Sequence, residues 1–285
     1  MTGMSRFRLH AHFRRAFWQA FDHDIVNTAK ATAYSGMLTL FPALLVLTTL
    51  LARVEEGPTL AGEIRGIFEQ FLPADTMDML QSYLMTRHGH SIQLIFSAAA
   101  LTLFAGLGVM LSLMEGFRRA YHLPMEAWSF WRRRLRALLL VPMALVPLSL
   151  ATLFIVFGHE IEVWMVANSG HEMRSVVVFF WRMVRWLISL STSTAVLMAI
   201  YHFGTPRREH WLRVAPGALA GTFIWFPATL AFGWYVTRIA NYAMFYGSFA
   251  AGIATLVWLY ITAFSVLLGA ELNGVFYHNR QNGAG

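Results

Sequence analysis

Long apolar runs separated by charged stretches dominate the chain. Six runs are long enough to cross a hydrocarbon core: Thr32–Ala52, Ile92–Met114, Ala137–Gly158, Val176–Phe203, Trp211–Val236 and Gly247–Leu272. Such a crossing takes roughly 20 residues of helix. The loop after the first run has a different pattern. Across residues 58–85, Leu60, Ile64, Ile67, Phe68, Phe71 and Leu72 recur at helical spacing and are followed by Pro73. Too short and too charged to span, this stretch predicts one or two amphipathic helices, on the outer leaflet or against the bundle. The expected fold class is all-α: a polytopic membrane helix bundle of six transmembrane helices, with amphipathic helices in the first extracytoplasmic loop. No internal repeat or Gly/Ser linker divides it. The expected organisation is a cytoplasmic N-terminal segment (1–31), a membrane domain (32–276) and a cytoplasmic tail (277–285).

Charge sets the expected orientation. Arg6, Arg8, Arg14, Arg15 and Lys30 precede the first run, and the loop at 53–91 has three arginines against six acids. The next loop carries Arg118, Arg119, Arg132, Arg133, Arg134 and Arg136, and the fourth carries Arg207 and Arg208. The third and fifth loops are poor in basic residues. Basic loops stay on the cytoplasmic side, so both termini are expected in the cytoplasm. An even number of spans gives the same answer. The N-terminal segment lacks the short apolar core and small-residue cleavage site of a signal peptide, so the first apolar run is expected to be retained.

Composition agrees with a bilayer as solvent. The 285 residues are 57% hydrophobic and 13% charged, against about 25% charged in soluble domains. Cysteine is absent, which removes disulfides, thiolate metal sites and a Cys nucleophile. The net charge is +7, and Lys30 is the only lysine. Arginine holds phosphate through two parallel hydrogen bonds, as lysine cannot. Anionic membrane lipids are therefore the expected partners and nucleic acid is not; nucleotide-composition bias is the plain alternative explanation of the arginines. The segment Phe117–Trp131 mixes Arg118, Arg119, Tyr121, Trp128 and Trp131, a combination suited to the membrane interface.

Motifs of soluble enzymes are missing: no Walker-type glycine loop and no H-E-x-x-H. The eleven histidines, among them His10, His12, His23, His88, His90, His122, His159 and His171, show no metal-ligand spacing. They read as interfacial polar residues, and no metal or cofactor is expected. Charges within the runs say more, because each costs several kcal/mol to bury in hydrocarbon. Arg182 and Arg185 lie three apart in the fourth run, hence on one helix face. Glu271 stands at the end of the sixth with Asn273 beside it, and Glu115 precedes Arg118 and Arg119. A polar cavity between helices and snorkelling to the headgroups are the two explanations. Pro42, Pro142, Pro147, Pro216 and Pro227 fall within runs, where each removes a helix hydrogen bond. Pro42, Pro216 and Pro227 are candidate kinks. Gly217 and Gly221 form a small-residue pair that permits close helix approach.

Several short motifs occur in order: Ala33-Tyr34, Leu40-Phe41-Pro42, Thr205-Pro206, Pro216-Gly217-Ala218, Tyr246-Gly247, Trp258-Leu259-Tyr260 and Gly269-Ala270-Glu271-Leu272-Asn273. In this the chain resembles the YihY/BrkB family of bacterial inner-membrane proteins, once labelled ribonuclease BN, across residues 20–276. The resemblance implies a multi-pass protein of the cytoplasmic membrane without a settled biochemical activity. It also implies links to envelope biogenesis and to export of lipid or lipopolysaccharide. Arg207-Arg208-Glu209-His210 departs from the simpler polar stretch expected after Pro206. The scattered acids do not suit a metal-dependent nuclease.

The expectation is a non-enzymatic transporter or flippase-like protein for a lipid or lipid-linked anionic envelope molecule. Its candidate substrate-binding residues are Arg182, Arg185, Glu271 and Asn273, joined by Tyr34 and Tyr246 from the family motifs. Arg182 and Arg185 would meet a phosphate; Glu271 and Asn273 would form an inner gate or coupling site. The alternative is a non-transporting scaffold that recruits an envelope protein partner through the 53–91 loop. An oligomeric assembly is compatible with either.

Overall fold

The computed structural model describes residues 3–51, 92–124, 129–147, 174–207, 209–238 and 249–283. Among the described residues all regular structure is helical. The helices are α1 (Gly3–Asp22), α2 (Ile25–Leu51), α3 (Ile92–Ala120), α4 (130–147), α5 (Arg174–Gly204), α6 (Trp211–Arg238) and α7 (Ala250–Gln281). Four stretches are long and apolar enough to cross a membrane: Phe96–Ala120, Val178–Gly204, Trp211–Val236 and Gly252–Gln281. Of the other two expected spans, the first ends at Ala52 and the third runs beyond residue 147; both reach outside the described residues. The 58–85 stretch lies wholly outside them.

Apolar side chains turned outward explain how such helices find their solvent. Phe96, Phe104, Phe179, Phe180 and Phe223 are each about two-thirds exposed or more. Aromatic surface on this scale is not held against water; against acyl chains it costs nothing.

The chain divides into two compact units. The first comprises Met1–Ile25, Met114–Ile224 and Ser265–Gly285, and the second Val26–Leu113 and Trp225–Phe264. In the second, Gly36 of α2 meets Leu259 of α7, Gly108 of α3 meets Ser35 of α2, and Trp225 Nε1 donates to Thr262 Oγ1 at 3.0 Å. The first is tighter. A Cβ on Gly217 of α6 would stand 2.2 Å from the Gly269 carbonyl oxygen of α7, and one on Gly269 would stand 2.4 Å from that of Gly217. A Cβ on Gly274 would stand 2.2 Å from the Ala120 carbonyl oxygen of α3. Backbone meets backbone at these crossings, and only a missing side chain allows it. Phe117 of α3 and Tyr201 of α5 pack edge to face beside them, and the Tyr201 hydroxyl donates to the Val266 carbonyl at 2.6 Å.

The N-terminal segment is helical. Ala16 and Ala20 of α1, one turn apart, are buried, and Ala16 packs with Leu272 and Val275 of α7. Helix α7 continues past the apolar run to Gln281, with His278 and Arg280 in its last turn, where basic groups complement the helix dipole.

Candidate functional site

The polar centre of the first unit forms around the end of α7. Glu271 is completely buried there. Its Oε1 accepts a hydrogen bond from His23 Nδ1 at 2.8 Å, while Oε2 has no hydrogen-bond partner among the described residues. An uncompensated buried carboxylate oxygen is expensive, so half of this group is held against a clear penalty.

His23 belongs to the turn between α1 and α2. Its ring meets that of His122 edge to face at 4.6 Å, and His122 meets His278 at 4.5 Å. His278 lies seven residues after Glu271, two turns along the same face of α7. Its Nδ1 donates to the Gly274 carbonyl at 3.0 Å. Three imidazoles from three segments thus run in ring contact from the buried carboxylate: His23, then exposed His122, then half-buried His278.

The backbone carries strain at two of these places. Asp24 has φ 57° and His122 φ 50°, left-handed values that favour glycine or asparagine. His122 terminates α3: its N–H donates to the Arg119 carbonyl and the Leu123 N–H to the Arg118 carbonyl, both at 2.9 Å. Strained non-glycine residues persist only where surroundings fix them. Here Glu115 does so. It accepts from Arg118 Nη2 at 2.7 Å, Arg119 Nε at 3.3 Å and Arg133 Nη2 at 3.2 Å. Arg119 then reaches the His23 carbonyl at 3.3 Å and the Asp24 carboxylate at 3.5 Å.

These contacts push the two histidines in opposite directions. The hydrogen bond to Glu271, then its charge, raises His23 above the ordinary imidazole pKa despite burial. Partial burial, then the positive charge of His23, His278 and Arg15, lowers His122.

Asn273 is buried two residues from Glu271 and faces α6 instead. Its Oδ1 accepts from the Gly217 N–H at 2.9 Å, and its Nδ2 donates to the Val214 carbonyl at 3.0 Å. These two backbone groups flank Pro216, which has no N–H to give. Asn273 therefore bridges the proline position from the neighbouring helix. Pro42 lies inside α2, and Pro216 and Pro227 are exposed on α6. Arg185 is half-buried on α5, and Tyr34 is 64% exposed in the second unit. The Arg182 side chain and Tyr246 lie outside the described residues. Among the described residues no three His, Asp or Glu side chains are grouped to hold a metal ion.

The motif that ends in Asn273 thus has a separate task for each polar or small member: Gly269 for the crossing, Glu271 for His23, Asn273 for α6. The model of the family described as Virulence factor BrkB matches residues 16–285, nearly the whole chain. The chain belongs to the BrkB family. Similar proteins include the ribonuclease-like protein YfkH of Bacillus subtilis, 27% identical over 263 residues, covering 91% of this chain and 92% of that one. A UPF0761 membrane protein of Chromohalobacter salexigens is 28% identical over 264 residues, covering 90% of this chain and 61% of its own length. Another, from Azotobacter vinelandii, is 25% identical, covering 86% of this chain and 58% of its own. The chain therefore spans about three-fifths of those two longer relatives. No solved structure matches.

The residues that sequence reasoning missed are the partners of Glu271. His23 counted only as a polar residue near a span end. The available signal was His278, on the same face as an acid in an apolar helix.

Proposed function

We propose that this BrkB-family membrane protein moves a lipid or lipid-linked anionic envelope molecule across the bacterial cytoplasmic membrane, with both termini in the cytoplasm. The observation that carries the reading is Glu271: fully buried in an apolar helix, paired with His23 on one oxygen and, among the described residues, unpaired on the other. An ionisable group so placed in a membrane protein marks a substrate or ion pathway by default. In this reading Arg182 and Arg185 receive the phosphate, and Glu271 with His23 forms the inner coupling site. No covalent bond is made or broken.

The test is movement of fluorescent anionic lipids by purified protein in liposomes, with a zwitterionic lipid as control. The wild type should accelerate movement of at least one anionic lipid. Arg182→Gln with Arg185→Gln, and separately Glu271→Gln, should abolish it while membrane abundance stays normal. Full activity in the double variant removes the phosphate-binding role. No movement of any lipid by the wild type leaves the scaffold reading. Close packing at Gly217 and Gly269, with Asn273 bonded through both its amide oxygen and nitrogen, is the observation on that side.

A further inference from the structure

The structure assigns α1 to the membrane surface: we infer that it is an in-plane helix whose aromatic face lies in the anionic headgroup region of the cytoplasmic leaflet. The argument begins with its three sectors. Ala16 and Ala20 are buried, and Ala16 packs on α7. Phe13, Phe17 and Phe21 recur every four residues, which moves them around the helix by about 40° at each step. Trp18 extends this arc. All four are exposed, Trp18 by 64% and Phe21 by 49%. Three of the rings form one edge-to-face and tilted cluster: Phe17–Trp18 at 6.1 Å, Phe17–Phe21 at 5.3 Å and Trp18–Phe21 at 6.4 Å. Arg15 and Asp22 occupy the remaining, polar sector, and both are exposed.

The place of attachment decides what covers the aromatic sector. Leu272 and Val275 lie near the end of a membrane-crossing stretch, and Arg280, Gln281 and Asn282 beyond them are exposed. Helix α1 is therefore fixed where hydrocarbon gives way to water. An exposed aromatic arc at that level suits the interface, where aromatic side chains collect. Charge selects the lipid. Arg14 projects exposed within the aromatic arc and Arg15 at its polar edge. Each can lay its stem along the rings and hold its guanidinium at a phosphate. The same pairing recurs in this unit at the start of α4. Phe130 and Trp131 are 62% and 76% exposed there, and the Arg134 guanidinium stands 3.8 Å over the Phe130 ring.

The absence of cysteine allows a direct test on the full chain. Single variants Phe17→Cys, Phe21→Cys and Arg15→Cys are labelled with an environment-sensitive fluorophore. They are reconstituted in phosphatidylcholine vesicles with and without phosphatidylglycerol. At positions 17 and 21 emission should shift to the blue. A lipid nitroxide at headgroup depth should quench it, and aqueous iodide several-fold less than at position 15. Phosphatidylglycerol should enlarge the shift, and Arg14→Gln with Arg15→Gln should abolish that enlargement while the lipid contact stays. Equal iodide quenching at all three positions overturns the inference. So does shielding from both quenchers together with excimer emission from pyrene at position 21, which would mean that a second copy covers the face. A shift that ignores phosphatidylglycerol overturns the anionic assignment. None of these readouts depends on transport.

Discussion

His23 and Glu271, 248 residues apart in the chain, meet at 2.8 Å inside the first unit. The contact ties the α1–α2 turn to the end of α7 and makes stability depend on pH. His23 holds its proton more firmly in the folded state, chiefly through the Glu271 hydrogen bond; Asp22 adds to this, and burial and Arg119 oppose it. Its contribution is complete below the ordinary value of about 6.5 and is lost as pH rises through the folded value. His122 has the opposite sign. Partial burial, His23, His278 and Arg15 lower it, so its contribution is complete above about 6.5 and is lost as pH falls through the folded value. The melting temperature in detergent should therefore pass through a maximum. His23→Gln should flatten the alkaline limb and His122→Gln the acid limb. Unchanged limbs in both variants would show that other groups set the profile.

The Gly217–Gly269 crossing gives a sharper mutational contrast. Alanine at either position puts a methyl group within 2.2–2.4 Å of a backbone oxygen on the other helix. Backbone cannot swing away as a side chain end can, so Gly217→Ala and Gly269→Ala should each cost about 1–3 kcal/mol or more. Gly233 has no described atom within 4 Å of an added Cβ, and Gly233→Ala should be neutral or gain up to about 1 kcal/mol from helix propensity. Thermal unfolding of the three variants checks the order. A Gly217→Ala variant as stable as Gly233→Ala would mean that the helices do not approach so closely.

Asn273 offers a test of hydrogen bonding at the same crossing. Truncation in Asn273→Ala leaves the Gly217 N–H and the Val214 carbonyl without their side-chain partner, at about 0.5–1.5 kcal/mol for each hydrogen bond lost. Asn273→Asp keeps the acceptor for Gly217 and loses the donor to Val214, so it should be less stable than wild type even though the shape is preserved. Equal melting temperatures for wild type and Asp variant would remove the two-ended bridge.

Much of this architecture was legible because a bilayer demands long apolar helices: Val178–Gly204 and Trp211–Val236 follow the expected bounds closely, while Phe96–Ala120 and Gly252–Gln281 overlap theirs and run on past the expected ends. Glu271 stood out for the same reason: a short acid in an apolar run has no easy exit to water. Its partner did not, because a turn residue such as His23 has no periodic signature of its own. Helix α1 was missed by weighing its arginines and acids alone; Ala16 with Ala20, and Phe13 with Phe17 and Phe21, carry the helical period. Gly217 suggested close packing, but only coordinates could choose Gly269 as the opposing residue. Asn273 seemed to belong with Glu271 by adjacency. Two residues along a helix point to different faces, and the structure sends one to α1–α2 and the other to α6.

The left-handed residue His122 separates backbone from side-chain effects. A non-glycine residue at such φ costs about 1–2 kcal/mol, which glycine does not pay. His122→Gly should therefore be more stable than His122→Ala by about 1 kcal/mol, since both lose the imidazole and only alanine keeps the strain. Against wild type, both variants lose the ring contacts to His23 and His278. Both should also lose the acid limb of the pH profile, because that limb belongs to the imidazole and not to the backbone. Melting curves of the two variants across pH provide the measurement. If alanine equals glycine in stability, the turn relaxes and stores no strain. If the acid limb survives in both, His122 is not its source.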